Sequence, residues 1–299
     1  MKVYVSKKPV AGPWGGGNKF VCKLIEKLKE VNTEVTFNLT KDVDVIFCFD
    51  PRPNKQGLWF LDYYNHKKEL GTKIIQRVGD IGTHSKPELN ELVKQSTQIS
   101  DFIIFPSVWS KDTIGYKKSN FKIIPNAPLS IFHQNKKKNH SNSKTKKIVT
   151  HHWSTNKKKG FDHYKYLGDK IHSGDMKGFE FTYIGRYNTE FISKGIRLIE
   201  PMNETDLSKI LPSFDIYLTA SIEEAGANHV LEAMAAGLPV VYRNVGCSIS
   251  EYCKNYGSGY TSKDEMVNEI MSASNKQYPK YTETIDDVIK EYVELICKT

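Results

Sequence analysis

Short β-branched and aromatic runs alternate with longer amphipathic stretches along almost the whole chain, and this alternation constrains the fold more than any other feature. Runs of period two followed by runs of period near 3.6 build parallel sheets whose strands are joined by helical crossovers. In the first half, strands are expected at 2–5, 34–37, 43–49, 73–78, 102–105 and 121–124, with helices near 18–31, 57–69, 87–95 and 110–116. Phe20, Val21, Leu24, Ile25 and Leu28 form one apolar stripe that marks the first helix, which begins directly after a glycine run. The scheme restarts after a polar stretch, with strands at 147–150, 179–184, 197–199, 216–219 and 239–242 and helices at 162–171, 204–210, 228–236 and 265–273. Beyond a break at Tyr278-Pro279, residues 284–297 place Ile285, Val288, Ile289, Val293 and Ile296 on one side of a last helix. A chain of 299 residues is long enough for two such open α/β domains. The expected division is 1–134, a basic linker at 135–147, a second domain at 148–280 and a C-terminal helix at 281–299.

Composition narrows the function classes. Hydrophobic residues make up 39% and charged residues 26%, a balance that fills real cores and argues against disorder. No run approaches the roughly 18 apolar residues of a membrane helix, and Met1-Lys2-Val3-Tyr4-Val5 reads as a strand, so export is not expected. Five cysteines, an odd number, suit reduced thiols and a cytoplasmic location. The net charge of +9 draws much of its excess from the run NKKKNHSNSKTKK at 135–147, which has no aromatic side chain for base stacking. A solvated linker is the expectation, without a nucleic-acid partner; contact with an anionic membrane surface is the alternative use of that run.

Open parallel sheets bind ligands at the carboxyl ends of their strands, so two of them facing each other would line a cleft with strand-to-helix loops. The first such loop, 11–18, is glycine-rich, and Gly16 and Gly17 at the start of the first helix are suited to close approach by a phosphate or sugar. Its spacing is neither that of a dinucleotide fingerprint nor that of a P-loop. The densest signal lies at 219–241. There a strand ends in a loop carrying Glu224, Ala225, Gly226 and Ala227, a helix begins near Asn228 and His229, Glu232 follows inside it, and Gly237 stops it before Pro239. Two acids flank one helix N-terminus, a pattern suited to a nucleotide sugar whose phosphates rest between hydroxyl-holding carboxylates. A second cluster, Arg77, Asp80 and His84, lies on a strand end running into a loop and offers acid–base candidates. Asp42-Val43-Asp44 precedes its strand, where metal-binding acids should follow one, and reads as a strand boundary.

Glu224 through Val241 resembles the hallmark of the retaining glycosyltransferases of family four: a glutamate, seven intervening residues, a second glutamate, then Ala-Met-Ala-x-Gly-x-Pro-Val-Val. Looser similarity runs through Gly15 to Gly17, Pro106-Ser107-Val108-Trp109, Ile124-Pro125-Asn126-Ala127 and Lys159-Gly160-Phe161-Asp162, in the family's order and over nearly the whole chain. The resemblance implies the GT-B fold of two Rossmann-like domains, the first binding acceptor and the second the donor, with the last helix packing back toward the first. It implies that Glu232 holds the ribose, that Glu224 contacts the transferred sugar, and that Lys159 neutralises the diphosphate together with donor-binding residues 225–229. The arginine usual in the family six positions before that lysine is Trp153 here, and Arg186 is the substitute on offer. His84 would stand near the sugar, with Arg77 and Asp80 toward the acceptor; His151 and His152 follow the first strand of the second domain and face the same cleft, where either one of them touches the donor or they are structural histidines. The implied activity is retaining, front-face transfer of a hexose from a GDP- or UDP-linked donor to a glycan, glycoprotein or glycolipid hydroxyl, without metal or other cofactor. A nucleotide-sugar-binding protein with catalysis weakened by Trp153 is the alternative.

Overall fold

A computed structural model describes residues 1–10, 16–84, 86–135, 145–188, 191–273 and 276–299. They form two compact units, Met1–Asn126 with Thr284–Thr299, and Ala127–Glu283.

The first unit is built on six parallel strands: β1 (Lys2–Val5), β2 (Glu34–Thr36), β3 (Val45–Cys48), β4 (Lys73–Arg77), β5 (Phe102–Phe105) and β6 (Phe121–Ile123). Their order is β2-β1-β3-β4-β5-β6. All four residues of β3 are buried, as an unbroken Val-Ile-Phe-Cys run requires when helices cover both faces of a sheet. The crossovers are α1 (Gly16–Glu30), α2 (Phe60–Leu70), α3 (Pro87–Ile99) and α4 (Val108–Ile114). Phe20, Val21, Leu24 and Leu28 form the buried stripe of α1. The C-terminal helix α11 (Ile285–Lys298) belongs to this unit and packs against α1, with the Phe20 and Tyr292 rings edge to face at 4.7 Å. Thr284 caps α11 and Asp287 reciprocates in a capping box.

The second unit repeats the plan with β7 (Lys146–His152), β8 (Phe179–Gly185), β9 (Ile196–Ile199), β10 (Ile216–Thr219), β11 (Val240–Arg243) and β12 (Gly257–Tyr260). Its order, β12-β11-β10-β7-β8-β9, reverses direction between β7 and β10. That is the Rossmann strand order, and it opens a crevice at the carboxyl ends of those two strands. The helices are α5 (Ile131–Gln134), α6 (Phe161–Ser173), α7 (Glu204–Ile210), α8 (Asn228–Ala235), α9 (Ser248–Cys253) and α10 (Lys263–Ala273). Tyr164, Phe181, Tyr183, Phe191 and Tyr260 are buried together in the core beneath α6.

The sequence-expected elements reappear within four residues of their places, with α5, α9 and β12 added. β12 carries two glycines, Gly257 and Gly259. A Cβ at Gly257 would stand 2.0 Å from the Val240 carbonyl oxygen, so only glycine permits this strand to lie against β11. The chain passes from one unit to the next at Asn126/Ala127, whereas the sequence reading places that boundary at 134/135. Residues 127–135 go with the second unit because Phe132 is fully buried and the Asn135 amide donates to the Ser208 carbonyl at 3.1 Å. Most of the basic run, 136–144, lies outside the described residues, as do 11–15 of the glycine loop. No helix among the described residues is long and apolar enough to cross a membrane. All five cysteines are free thiols.

Candidate functional site

In the second unit, three segments meet at the switch point between β7 and β10. The first is a single 3₁₀ turn, Lys157–Lys159, capped by the Asn156 side chain, which accepts from the Lys158 N–H at 2.9 Å. The turn ends at Gly160, whose φ of +78° suits glycine, and a Cβ there would stand 2.3 Å from the Ala220 carbonyl oxygen. This close approach lays the lysine turn against the second segment, the loop leaving β10, and the Ile222 N–H donates to the Lys158 carbonyl at 2.8 Å. Two ion pairs result, Lys158 with Glu223 and Lys159 with Glu224. Lys159 is buried, and the side chains of Lys159 and Glu224 are only 11% and 13% exposed, so this pair is largely desolvated. Glu223 has a φ of +60°, a left-handed conformation that is uncommon outside glycine and marks local backbone strain.

The third segment is α8. The Glu232 carboxylate stands 2.8 Å from His151 Nε2, and the other ring nitrogen lies 3.1 Å from the Tyr217 hydroxyl. An ionised carboxylate only accepts hydrogen bonds, so the His151 Nε2–H donates to Glu232. Burial pushes the Tyr217 phenol well above its ordinary range and keeps it a hydroxyl. His152 is held at the next position by the Tyr164 hydroxyl at 2.8 Å, which also accepts from the Ala220 N–H at 2.9 Å. Burial, aided by the charge of neighbouring His229, Lys159 and His151, drops the His152 pKa well below the ordinary histidine value and leaves the ring neutral. His229 Nε2 stands 3.0 Å from the Thr219 hydroxyl. At the α8 N-terminus the Ala227 N–H donates to Ser248 Oγ at 3.3 Å, and the Ser248 N–H donates to the Glu224 carbonyl. A shallow recess beside these groups is lined by His151, Trp153, Ile184, Gly185, Pro201 and Met202.

Lys159 thus meets Glu224, and Glu224, the 225–229 segment and Glu232 follow one another on a single strand-to-helix passage. Trp153 is 43% exposed, and the Arg186 guanidinium lies over its indole at 6.0 Å from the ring centre. His84, Arg77, Asp80, Gly16 and Gly17 lie in the first unit. Arg77 is buried, with its guanidinium over Phe20 and Phe49 and Nη2 donating to Asn126 at 2.9 Å. Asp80 accepts from the Gly82 N–H and from Lys86, and His84 is half-buried in the same loop. Gly16 and Gly17 are the first two residues of α1.

Sequence reasoning did not find the His151–Glu232 contact, the Tyr217 hydroxyl behind it or the Lys158–Glu223 pair. The one signal available was that His151 ends a strand entering the site. Asp42 and Asp44 lie at the amino end of β3, away from the carboxyl ends of the strands, and both bond Lys2. Among the described residues no three or more His, Cys, Asp or Glu side chains form a cluster with metal-ligand geometry.

This architecture, two parallel-sheet Rossmann-like α/β units, is the GT-B fold of glycosyltransferases. It resembles sucrose-phosphate synthase from Thermosynechococcus elongatus at 12% identity and a TM-score of 0.64, over 98% of this chain and 93% of that one. An E. coli structure described as trehalose-6-phosphate bound with UDP-2-fluoro glucose gives 10% identity and a TM-score of 0.64, over 100% and 96% of the two chains. Anabaena HepE in complex with UDP-glucose gives 13% and 0.62, over 98% and 94%. Residues 177–287 match the family described as glycosyl transferases group 1. No curated protein matches the chain.

Proposed function

We propose that the protein is a retaining glycosyltransferase that moves a hexose from a UDP- or GDP-linked donor to a hydroxyl on a glycan, glycoprotein or glycolipid. The observation carrying this reading is the paired arrangement around α8, in which Lys159 meets Glu224 on one side and His151 meets Glu232 on the other. Glu232, fixed by His151, presents carboxylate oxygens suited to two ribose hydroxyls. Lys159 exchanges Glu224 for the diphosphate when donor arrives, and the freed Glu224 accepts from ring hydroxyls of the sugar. Departure of the nucleoside diphosphate then meets an ammonium and a helix N-terminus at its oxygens, with Arg186 over Trp153 as a second cation. These groups supply the positive charge without a resident metal. Neither motif acid is placed as a nucleophile in this reading, which favours front-face attack by the acceptor, the donor phosphate helping to take its proton. His84, Arg77 and Asp80 of the first unit serve the acceptor side. Complexes with UDP-glucose and UDP-2-fluoro glucose among the similar structures favour uridine as the base.

The test is a panel of UDP- and GDP-hexoses, with donor hydrolysis and melting temperature measured for each. One donor is expected to raise the melting temperature by several degrees at about a hundred times its Kd and to release its nucleoside diphosphate. A donor that stabilises without turnover supports the binding-protein alternative; no response to any donor refutes the proposal.

A further inference from the structure

We propose that the first unit contains an oxyanion site, built by Lys7 and Arg77 at the switch point of its sheet, that takes a phosphate group carried by the acceptor. The first sheet reverses direction between β1 and β3, and ligands of open α/β sheets bind outside the carboxyl ends of the strands at such a point. Lys7 follows β1 and Phe49 follows β3. The Lys7 ammonium lies 4.6 Å from the centre of the Phe49 ring, and the Arg77 guanidinium, from the end of β4, lies 5.1 Å from that same centre. Both cations therefore lie against the same aromatic ring. Arg77 is 6% exposed; it spends Nη2 on Asn126 and lies beside the Tyr292 hydroxyl, but its buried Nε has no partner.

The nearby carboxylates do not neutralise this pair. Both oxygens of Asp50 are held by Arg52, at 3.0 and 2.6 Å, and Asp80 is held by Lys86 at 2.7 Å. Lys7 makes no ion pair within 4 Å among the described residues, and burial, with Arg77's charge adding to it, lowers its pKa although Asp50 pulls the other way. The start of α1 adds to the positive field. It has no acid in its first turn, and a Cβ at Gly17 would stand 3.5 Å from the Lys7 ammonium. Partly desolvated like charges that feel each other are costly unless an anion completes the site. Two cations and a helix terminus match a phosphate monoester, close to doubly charged at neutral pH, better than a single carboxylate. In the proposed function, on which this inference rests, the donor's diphosphate is met by Lys159 and α8 in the second unit, so the first unit's cations are left for the acceptor.

The test measures binding of inorganic phosphate, a set of hexose 6-phosphates, the unphosphorylated hexoses and UDP to the intact protein, to Lys7→Met and to Lys7→Arg. At least one hexose 6-phosphate is expected to bind ten times more tightly than its parent sugar, to lose that advantage in Lys7→Met and to regain most of it in Lys7→Arg. UDP affinity is expected to stay within about threefold throughout. Phosphate probes that bind no better than neutral sugars, or that bind Lys7→Met as well as the unaltered protein, overturn the site. A fall in UDP affinity as large as the fall for hexose phosphate also overturns it, by assigning Lys7 to the donor. Loss of UDP and GDP binding in the unaltered protein would count against the proposed function instead, and leaves the phosphate comparison readable.

Discussion

Lys159→Met is expected to lower sugar transfer by about two to three orders of magnitude, with most of the loss in kcat, because in the proposed reaction the ammonium matters most as negative charge gathers on the departing diphosphate. The same substitution has a structural consequence that must be separated from the chemical one. Glu224 is only 13% exposed and loses its ion-pair partner, and a carboxylate stranded in a largely desolvated place is destabilising. Lys159→Arg separates the two effects, since it keeps the charge and the pairing with Glu224 while shifting the position of the cation. A partial recovery of kcat in Lys159→Arg, with a melting temperature near that of the unaltered protein, places the loss in the chemistry. Equal kcat for Lys159→Met and the unaltered protein would remove Lys159 from the mechanism.

Glu232→Ala acts instead on donor binding, raising the Kd for nucleotide and nucleotide sugar by about a hundredfold, or roughly 3 kcal/mol. Loss of two charge-assisted hydrogen bonds to ribose accounts for that magnitude. His151 is only 4% exposed and donates to this carboxylate, so the substitution also strips the acceptor from a buried ring. The expected cost to folding is about 1–3 kcal/mol. Glu232→Gln keeps an acceptor oxygen for His151 and restores stability more fully than it restores affinity. Calorimetric titration with UDP and GDP, beside thermal unfolding of both variants, tests the distinction. Unchanged nucleotide affinity in Glu232→Ala would sink the assigned role.

What the sequence displayed, and what it hid, follows from the kind of contact involved. The strands were legible because runs such as Val45–Cys48 bury every side chain and leave no polar position to confuse the period. α1 and α11 were legible because one face of each is apolar at helical spacing. The site was legible where it is local: Glu224, the loop and Glu232 are carried on one strand-to-helix passage. Contacts between distant segments left no mark in spacing. Lys159 reaches Glu224 across 65 residues and His151 reaches Glu232 across 81, and nothing in either neighbourhood specifies the other. β12 was missed because Gly257, Ser258 and Gly259 supply no β-branched or aromatic run, while the sheet uses Gly257 for a close approach to Val240. The boundary between the units was set too late, because a charged run is conspicuous in a sequence and the burial of Phe132 is not.

The central claim is that the second unit grips a nucleotide sugar between the turn at Lys159 and the start of α8. A crystal structure with the donor that gives the largest thermal stabilisation examines it most directly. The account expects the diphosphate against residues 225–228, the Lys159 ammonium withdrawn from Glu224 and about 3 Å from a phosphate oxygen, and Glu232 in hydrogen-bond contact with the ribose. A nucleotide bound elsewhere, with the Lys159–Glu224 pair still closed, would contradict it.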